Sequence, residues 1–139
     1  MPIEEFVQAE KWLQKDSLVR VLLKQSYFNE KTLKATLFHY WGEGVTFEDI
    51  AEALHIQQPG AWKRWRRGLD TIMRSFYTLE LAMYAGVLDP EIVDIVSQDL
   101  QDYASLAREE GGLEEIQSRI EERMLKLKKI MPSGRGATP

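Results

Sequence analysis

Apolar residues recur every three or four positions along most of this chain, which is the spacing of one face of a helix. In residues 3–15, Ile3, Phe6, Val7 and Leu13 lie roughly on one side, with polar residues between them. This stretch is therefore predicted to be a short amphipathic helix.

Residues 18–23 form a second apolar run, in which β-branched residues suit a strand and leucines suit a helix. We predict a helix, because the chain offers no second strand to pair with it. Asp16 and Ser17 mark a break or cap before this run. Residues 1–28 are thus predicted to be an N-terminal helical segment.

A third helix is predicted over residues 30–41, where Asn29 can cap its start and the glycines at 42 and 44 can end it. The next helix begins at Thr46, whose hydroxyl can accept a hydrogen bond from the Asp49 N–H while the Asp49 carboxylate reaches back. Its apolar residues then gather on one face as far as Leu54.

Another helix is predicted to begin near Pro59, because proline is tolerated in the first turn of a helix. We expect its large apolar residues to form one buried stripe: Trp62, Trp65, Leu69, Ile72, Met73 and Phe76. This helix either continues to about Ala85 or gives way near Gly68 to a separate helix. Residues 29–86 are predicted to form the central helical core.

Asp89 and Pro90 give a strong start signal for a further helix, which Gly111 and Gly112 end. The last helix carries apolar residues near heptad a and d positions, interrupted at Arg123. These residues are Leu113, Ile116, Ile120, Leu127 and Ile130. We predict that residues 89–131 form a C-terminal helical dimerisation region and that residues 132–139 form a flexible tail. The whole chain is predicted to be all-α.

Composition narrows the chemistry of this chain of 139 residues, which has no cysteine and only two histidines, His39 and His55. Disulfides and thiolate metal sites are excluded, and motifs for a phosphate loop, a nucleophile elbow or a zinc protease are absent. We expect no enzyme activity and no cofactor. No apolar run approaches the length of a membrane span, so we expect a cytoplasmic protein without membrane partners.

Positive charge is concentrated in residues 57–76, where five cations stand against one acid and give a net charge of +4. The formal net charge of the whole chain is −4, so the remaining residues carry −8. A localised positive segment on an acidic chain is typical of a surface that binds nucleic acid.

Residues 37–72 resemble the helix-turn-helix of transcription regulators, particularly the C-terminal promoter-reading module of bacterial sigma factors. The positions that match are Glu48, Ile50, Ala51, Leu54 and Ile56. His55 stands where that pattern has glycine, and histidine adopts left-handed conformations more often than most residues. The resemblance implies a helix-turn-helix core with a C-terminal helical oligomerisation extension.

The expected function is therefore double-stranded DNA binding, with the basic helix 60–74 in the major groove of a regulatory site. Arginine can bind guanine edges and glutamine can bind adenine or phosphate. The expected DNA-binding residues are Gln57, Gln58, Lys63, Arg64, Arg66, Arg67 and Arg74. Two alternatives remain: a module that binds an acidic partner such as RNA polymerase, and a viral DNA-packaging recognition subunit.

Two further expectations concern apolar residues. Trp62 and Trp65 are able to stack on nucleobases, but their shared spacing with Leu69 and Ile72 favours a place in the core. The apolar edge of the last helix favours a homodimer or a higher homo-oligomer over packing within its own chain.

Overall fold

The computed structural model describes residues 3–109 and 111–130, and the predicted tail 132–139 lies outside them. The described residues form helices only, which confirms the all-α prediction. In chain order the helices are α1 (Glu4–Lys15), α2 (Ser17–Gln25), α3 (Glu30–Trp41), α4 (Phe47–Leu54), α5 (Gln58–Tyr84), α6 (Pro90–Ala107) and α7 (Leu113–Ile130). The chain divides into two compact units, residues 1–78 and 79–139, and the division falls within α5.

Local hydrogen bonds start the first helices where the sequence predicts. Asp16 lies between α1 and α2 and accepts a hydrogen bond from the Val19 N–H at 3.0 Å, so the ambiguous run 18–23 is helical. Asn29 accepts a hydrogen bond from the Thr32 N–H at 2.8 Å and caps α3. Each cap satisfies a backbone donor that the first turn of a helix leaves unpaired.

The core of the first unit is built from α1, α3, α4 and the start of α5. Phe6 of α1 stacks on Phe38 of α3 with ring centroids 4.1 Å apart. Around this pair lie the buried side chains of Ala9, Ala35, Ile50, Ala51, Leu54 and Ala61. The N-terminal segment therefore shares its core with the helices that precede the basic segment.

The connection between α4 and α5 is three residues long, from 55 to 57. At the start of α4, Thr46 and Asp49 form the predicted reciprocal cap, with distances of 3.1 and 3.0 Å. At its end, His55 has φ 57° and ψ 43°, which is the left-handed conformation. His55 therefore ends α4 in a conformation that glycine most often supplies.

Gly68 does not end α5, which runs without interruption from Gln58 to Tyr84. A Cβ atom at Gly68 would stand 2.2 Å from Thr36 Oγ1 and 3.2 Å from Phe28 Cε1. The glycine therefore serves the close approach of α5 to α3, which decides between the two alternatives for this helix.

In the second unit, α6 and α7 pack against each other through Ile92, Ile95, Ile116 and Ile120, all of them buried. Asp89 stands at the N-cap of α6 but its side chain makes no capping hydrogen bond, contrary to the sequence prediction. Two of the five residues of the α7 edge that we expected to meet a second copy, Ile116 and Ile120, are buried in the α6–α7 pair, whereas Leu127 and Ile130 are half-buried and Leu113 is 41% exposed.

Arg123 lies inside this helix pair and is satisfied there. Its Nε donates to Asp99 Oδ1 at 2.6 Å, and its Nη2 donates to Asp102 Oδ2. Arg119 Nη2 donates to the other oxygen of Asp102 at 3.1 Å. These hydrogen bonds, led by the one from Arg119, lower the pKa of Asp102 below its usual value. The cation that interrupts the apolar edge of α7 is thus the ionic partner of α6.

Candidate nucleic-acid interface

The cationic face of α5 consists of residues spaced by four, three and four positions, which places them on one side of the helix. These residues are Lys63, Arg67, Asp70 and Arg74, and all four are exposed. Arg66 is exposed beside this face, whereas Arg64 flanks its other edge and is half-buried. The structure therefore gathers Lys63, Arg66 and Arg67 on one accessible surface.

Acidic partners are unevenly distributed among these cations. Arg74 Nε donates to Asp70 Oδ2 at 3.1 Å, so the positive charge of Arg74 is locally balanced. Within residues 3–109 and 111–130, no carboxylate lies within 4.0 Å of the charged groups of Lys63, Arg64, Arg66 and Arg67. Four unpaired cations within five residues leave a positive potential over the first half of α5.

Gln57 immediately precedes α5 and Gln58 is its first residue, and both are exposed. The carbonyl of Gln57 accepts a hydrogen bond from the Ala61 N–H at 3.1 Å, which holds the first turn of the helix. The amide side chains are free of hydrogen bonds within the described chain and border the left-handed turn at His55. Of the five cations among the seven predicted site residues, Arg74 is paired with Asp70 and Arg64 is half-buried, whereas the other three are exposed and have no acidic partner among the described residues.

The buried face of α5 differs from the stripe that the sequence predicted. The residues that face the core are Ala61, Trp65, Gly68 and Ile72, again spaced by four, three and four. Ala61 has no exposed surface, so it is the first buried residue of the helix. Trp62, Met73 and Phe76, which we expected to be buried, are 47%, 47% and 49% exposed. The buried positions of this inward face are the small residues Ala61 and Gly68, and Trp65 and Ile72 are half-buried.

Trp65 holds α5 against the two preceding helices. Its ring centroid lies 4.9 Å from that of His39 in α3 and 5.3 Å from that of Phe47 in α4. His39 and Phe47 stack on each other with centroids 5.4 Å apart. Trp65 and Arg67 lie on opposite sides of α5. The contacts of Trp65 with His39 and Phe47 therefore keep the cationic face turned away from α3 and α4. Trp65 is half-buried, so it is a packing residue, as predicted.

A groove of about 600 Å³ lies between α1 and α4, away from the cationic face. Glu10, Asp49 and Glu52 contribute carboxylates to its walls. Asp49 is engaged in the cap of α4, and Glu10 pairs with Lys34 at 3.2 Å. Among the described residues, no group of three potential metal ligands comes together. The cationic face thus remains the candidate site with the clearest chemistry.

The chain matches no protein-family model, no curated protein and no solved structure. In the part of the chain that the structure describes, none of the helices combines the length and apolar character needed to cross a membrane.

Proposed function

We propose that this chain is a double-stranded DNA-binding protein, a transcriptional regulator of the cytoplasm, and that the first half of α5 enters the major groove. One observation carries the proposal. Lys63, Arg66 and Arg67 are exposed and have no acidic partner among the described residues. Cations that the protein leaves unpaired are available to neutralise phosphates and release their counterions.

The backbone geometry supports the same proposal. A short helix, a left-handed residue and a second helix resemble the helix-turn-helix, in which the second helix lies in the major groove. The core-facing residues Ala61 and Gly68 leave the opposite side of α5 open to a groove about 12 Å wide. On that side the Arg67 side chain is long enough to bind a guanine edge or a phosphate. Gln58 is the first residue of α5, and its side-chain amide can bind adenine or a phosphate.

We also propose that the protein acts as a homodimer or a higher homo-oligomer, through the part of the α7 edge that is not buried and through an apolar surface of α5. Beyond the cations, α5 exposes Met73, Phe76 and Tyr77, the last of them 64% exposed. Three neighbouring apolar side chains on one helix favour a protein contact. Light scattering on the intact chain tests this part separately, since a mass of one chain contradicts it.

The DNA proposal is tested by fluorescence anisotropy with a labelled pool of random-sequence duplexes at low salt. The wild-type protein should bind, and Arg67→Ala should bind more weakly. Arg20→Ala is the matched control, because Arg20 is an exposed arginine on α2 in the same unit. A well-folded wild-type protein that binds no duplex would contradict the proposal and favour an acidic protein surface as the partner of the cations.

A further inference from the structure

Trp62 is a large apolar side chain on the edge of the cationic face. It is 47% exposed, it precedes Lys63 directly, and it lies one turn before Arg66 on the same side of α5. No aromatic ring of the described chain stacks on it. The indole is therefore presented together with two cations that lack acidic partners.

Packing within the chain covers only about half of this tryptophan, which is 47% exposed. Three residues further on, Trp65 turns inward and fills the space between His39 and Phe47. The core-facing position at this turn of α5 is occupied by Ala61, which is fully buried, and Trp62 lies to the side of it. The indole of Trp62 thus leaves much of its apolar surface in water. Burial of that surface against a ligand would stabilise the complex.

The combination of an exposed indole and unpaired cations indicates the chemistry of the ligand. A DNA duplex offers phosphates for the cations, and beside them it offers the apolar surface of deoxyribose and the base edges for an aromatic ring. An acidic protein surface offers negative charge for the cations, but it does not offer apolar surface for the ring at a regular spacing beside each charge. Charge complementarity and ring chemistry therefore favour DNA as the occupant of this surface.

We propose that Trp62 contacts DNA directly, with its indole packed on the apolar part of a nucleotide whose neighbouring phosphates are bound by Lys63 and Arg66. This inference rests on the proposed function of α5. It adds a contact that is neither electrostatic nor a hydrogen bond, so its contribution should persist when salt weakens the phosphate contacts.

The test is duplex binding by Trp62→Ala, Trp62→Phe and wild type, with Tyr27→Ala as the control for loss of an exposed aromatic residue, since Tyr27 is 94% exposed outside α5. Trp62→Ala should lower affinity about 10-fold at an unchanged melting temperature, because the variant loses the apolar contact between the indole and the nucleotide. Trp62→Phe should keep most of the affinity, and Tyr27→Ala should bind like the wild type.

Intrinsic fluorescence gives a second readout that does not depend on the stability of Trp62→Ala. DNA should quench the tryptophan emission of the wild-type protein, and most of that quench should be absent in Trp62→Phe. An equal quench in both proteins would overturn the inference. So would a Trp62→Ala protein that binds duplex normally while Arg67→Ala does not, an outcome that leaves the proposed function standing.

Two other outcomes also bear on Trp62. If the wild-type protein binds no duplex, the inference fails together with the proposed function. If light scattering finds the wild type as an oligomer and Trp62→Ala as a single chain, the indole lies between copies of the protein and the inference is overturned.

Discussion

At the scale of single residues, glycine and alanine set how closely α5 approaches its neighbours. Gly68 leaves no room for a Cβ atom, because Thr36 Oγ1 would stand 2.2 Å from it. Ala61, about two turns earlier on the same face, is fully buried. The direction of the whole cationic surface follows from these two contacts, since side chains on the opposite side of the helix are turned to solvent.

Gly68→Ala should lower the free energy of unfolding by about 1–3 kcal/mol, the usual cost of overpacking a close contact. The direction of this change in stability is informative, because alanine in a helix interior ordinarily stabilises a protein by about 1 kcal/mol relative to glycine. Gly60→Ala is the matched control, since its added methyl would meet only Ile56 Cδ1 at 3.7 Å. Urea unfolding of both variants measures the difference. Equal stabilisation by both alanines would show that α5 does not approach α3 closely at Gly68.

Trp65→Ala should lower the free energy of unfolding by about 1–3 kcal/mol, less than for a fully buried tryptophan. Its ring packs on His39 and Phe47 but retains exposed surface. The buried Nε1 has no hydrogen-bond partner in the described chain, so Trp65→Phe should be the milder change. Thermal unfolding measures both. DNA binding lost at an unchanged melting temperature would instead make Trp65 a ligand contact.

At the scale of helices, the local signals in the sequence were sufficient to predict the start or end of a helix where the capping groups lie within three residues of each other. Asn29 and Thr46 illustrate this, because each accepts a hydrogen bond from a backbone N–H three residues later. His55 ends α4 through its own left-handed conformation. The inward face of α5 was not predictable in the same way. Large apolar residues such as Trp62 were assigned to the core by size, whereas the contact with α3 requires a small residue at position 68.

The partner of Arg123 illustrates a second limit of sequence reasoning. Asp99 and Asp102 lie more than twenty residues before it, on another helix. Spacing along α7 alone therefore indicated an interrupted heptad seam and a dimer. The pairing of α6 with α7 becomes visible only when both helices are placed, and it satisfies the arginine within one chain.

The α6–α7 pair should lose stability in acid because the pKa of Asp102 is lowered by Arg119 and then by Arg123. A carboxylate with a lowered folded-state pKa contributes stability above its unfolded pKa of about 4. That contribution is lost as pH falls through the lower folded-state value. Asp102→Asn should therefore make the stability less dependent on pH below about 4 than in the wild type.

Urea unfolding between neutral and acidic pH, followed for the intact protein, measures this effect. Asp94→Asn is the control, because Asp94 accepts a hydrogen bond from Gln98 Nε2 at 2.9 Å and has no ion pair with an arginine within residues 3–109 and 111–130. If the Asp102 and Asp94 variants show the same dependence on pH as the wild type, the arginines do not hold Asp102 ionised.

At the scale of the whole molecule, the distribution of charge is the property that the sequence determined most directly. The chain is acidic, with a formal net charge of −4, yet residues 57–76 carry +4. The structure adds that Arg74 is paired with Asp70 while Lys63, Arg66 and Arg67 are not paired within the described residues. The effective cationic site is therefore shorter than the basic segment and is centred on Lys63 to Arg67.

The salt dependence of duplex binding tests this account most directly. If the cations neutralise three or four phosphates per chain, log K should fall against log salt with a slope of about −3 to −4, or about −5 to −7 for a dimer. Arg67→Ala should flatten the slope by about 1 if Arg67 binds phosphate. Arg20→Ala and the wild type should give the same slope. A slope near zero, or equal slopes for Arg67→Ala and the wild type with unchanged affinity, would contradict the assignment of DNA binding to the first half of α5.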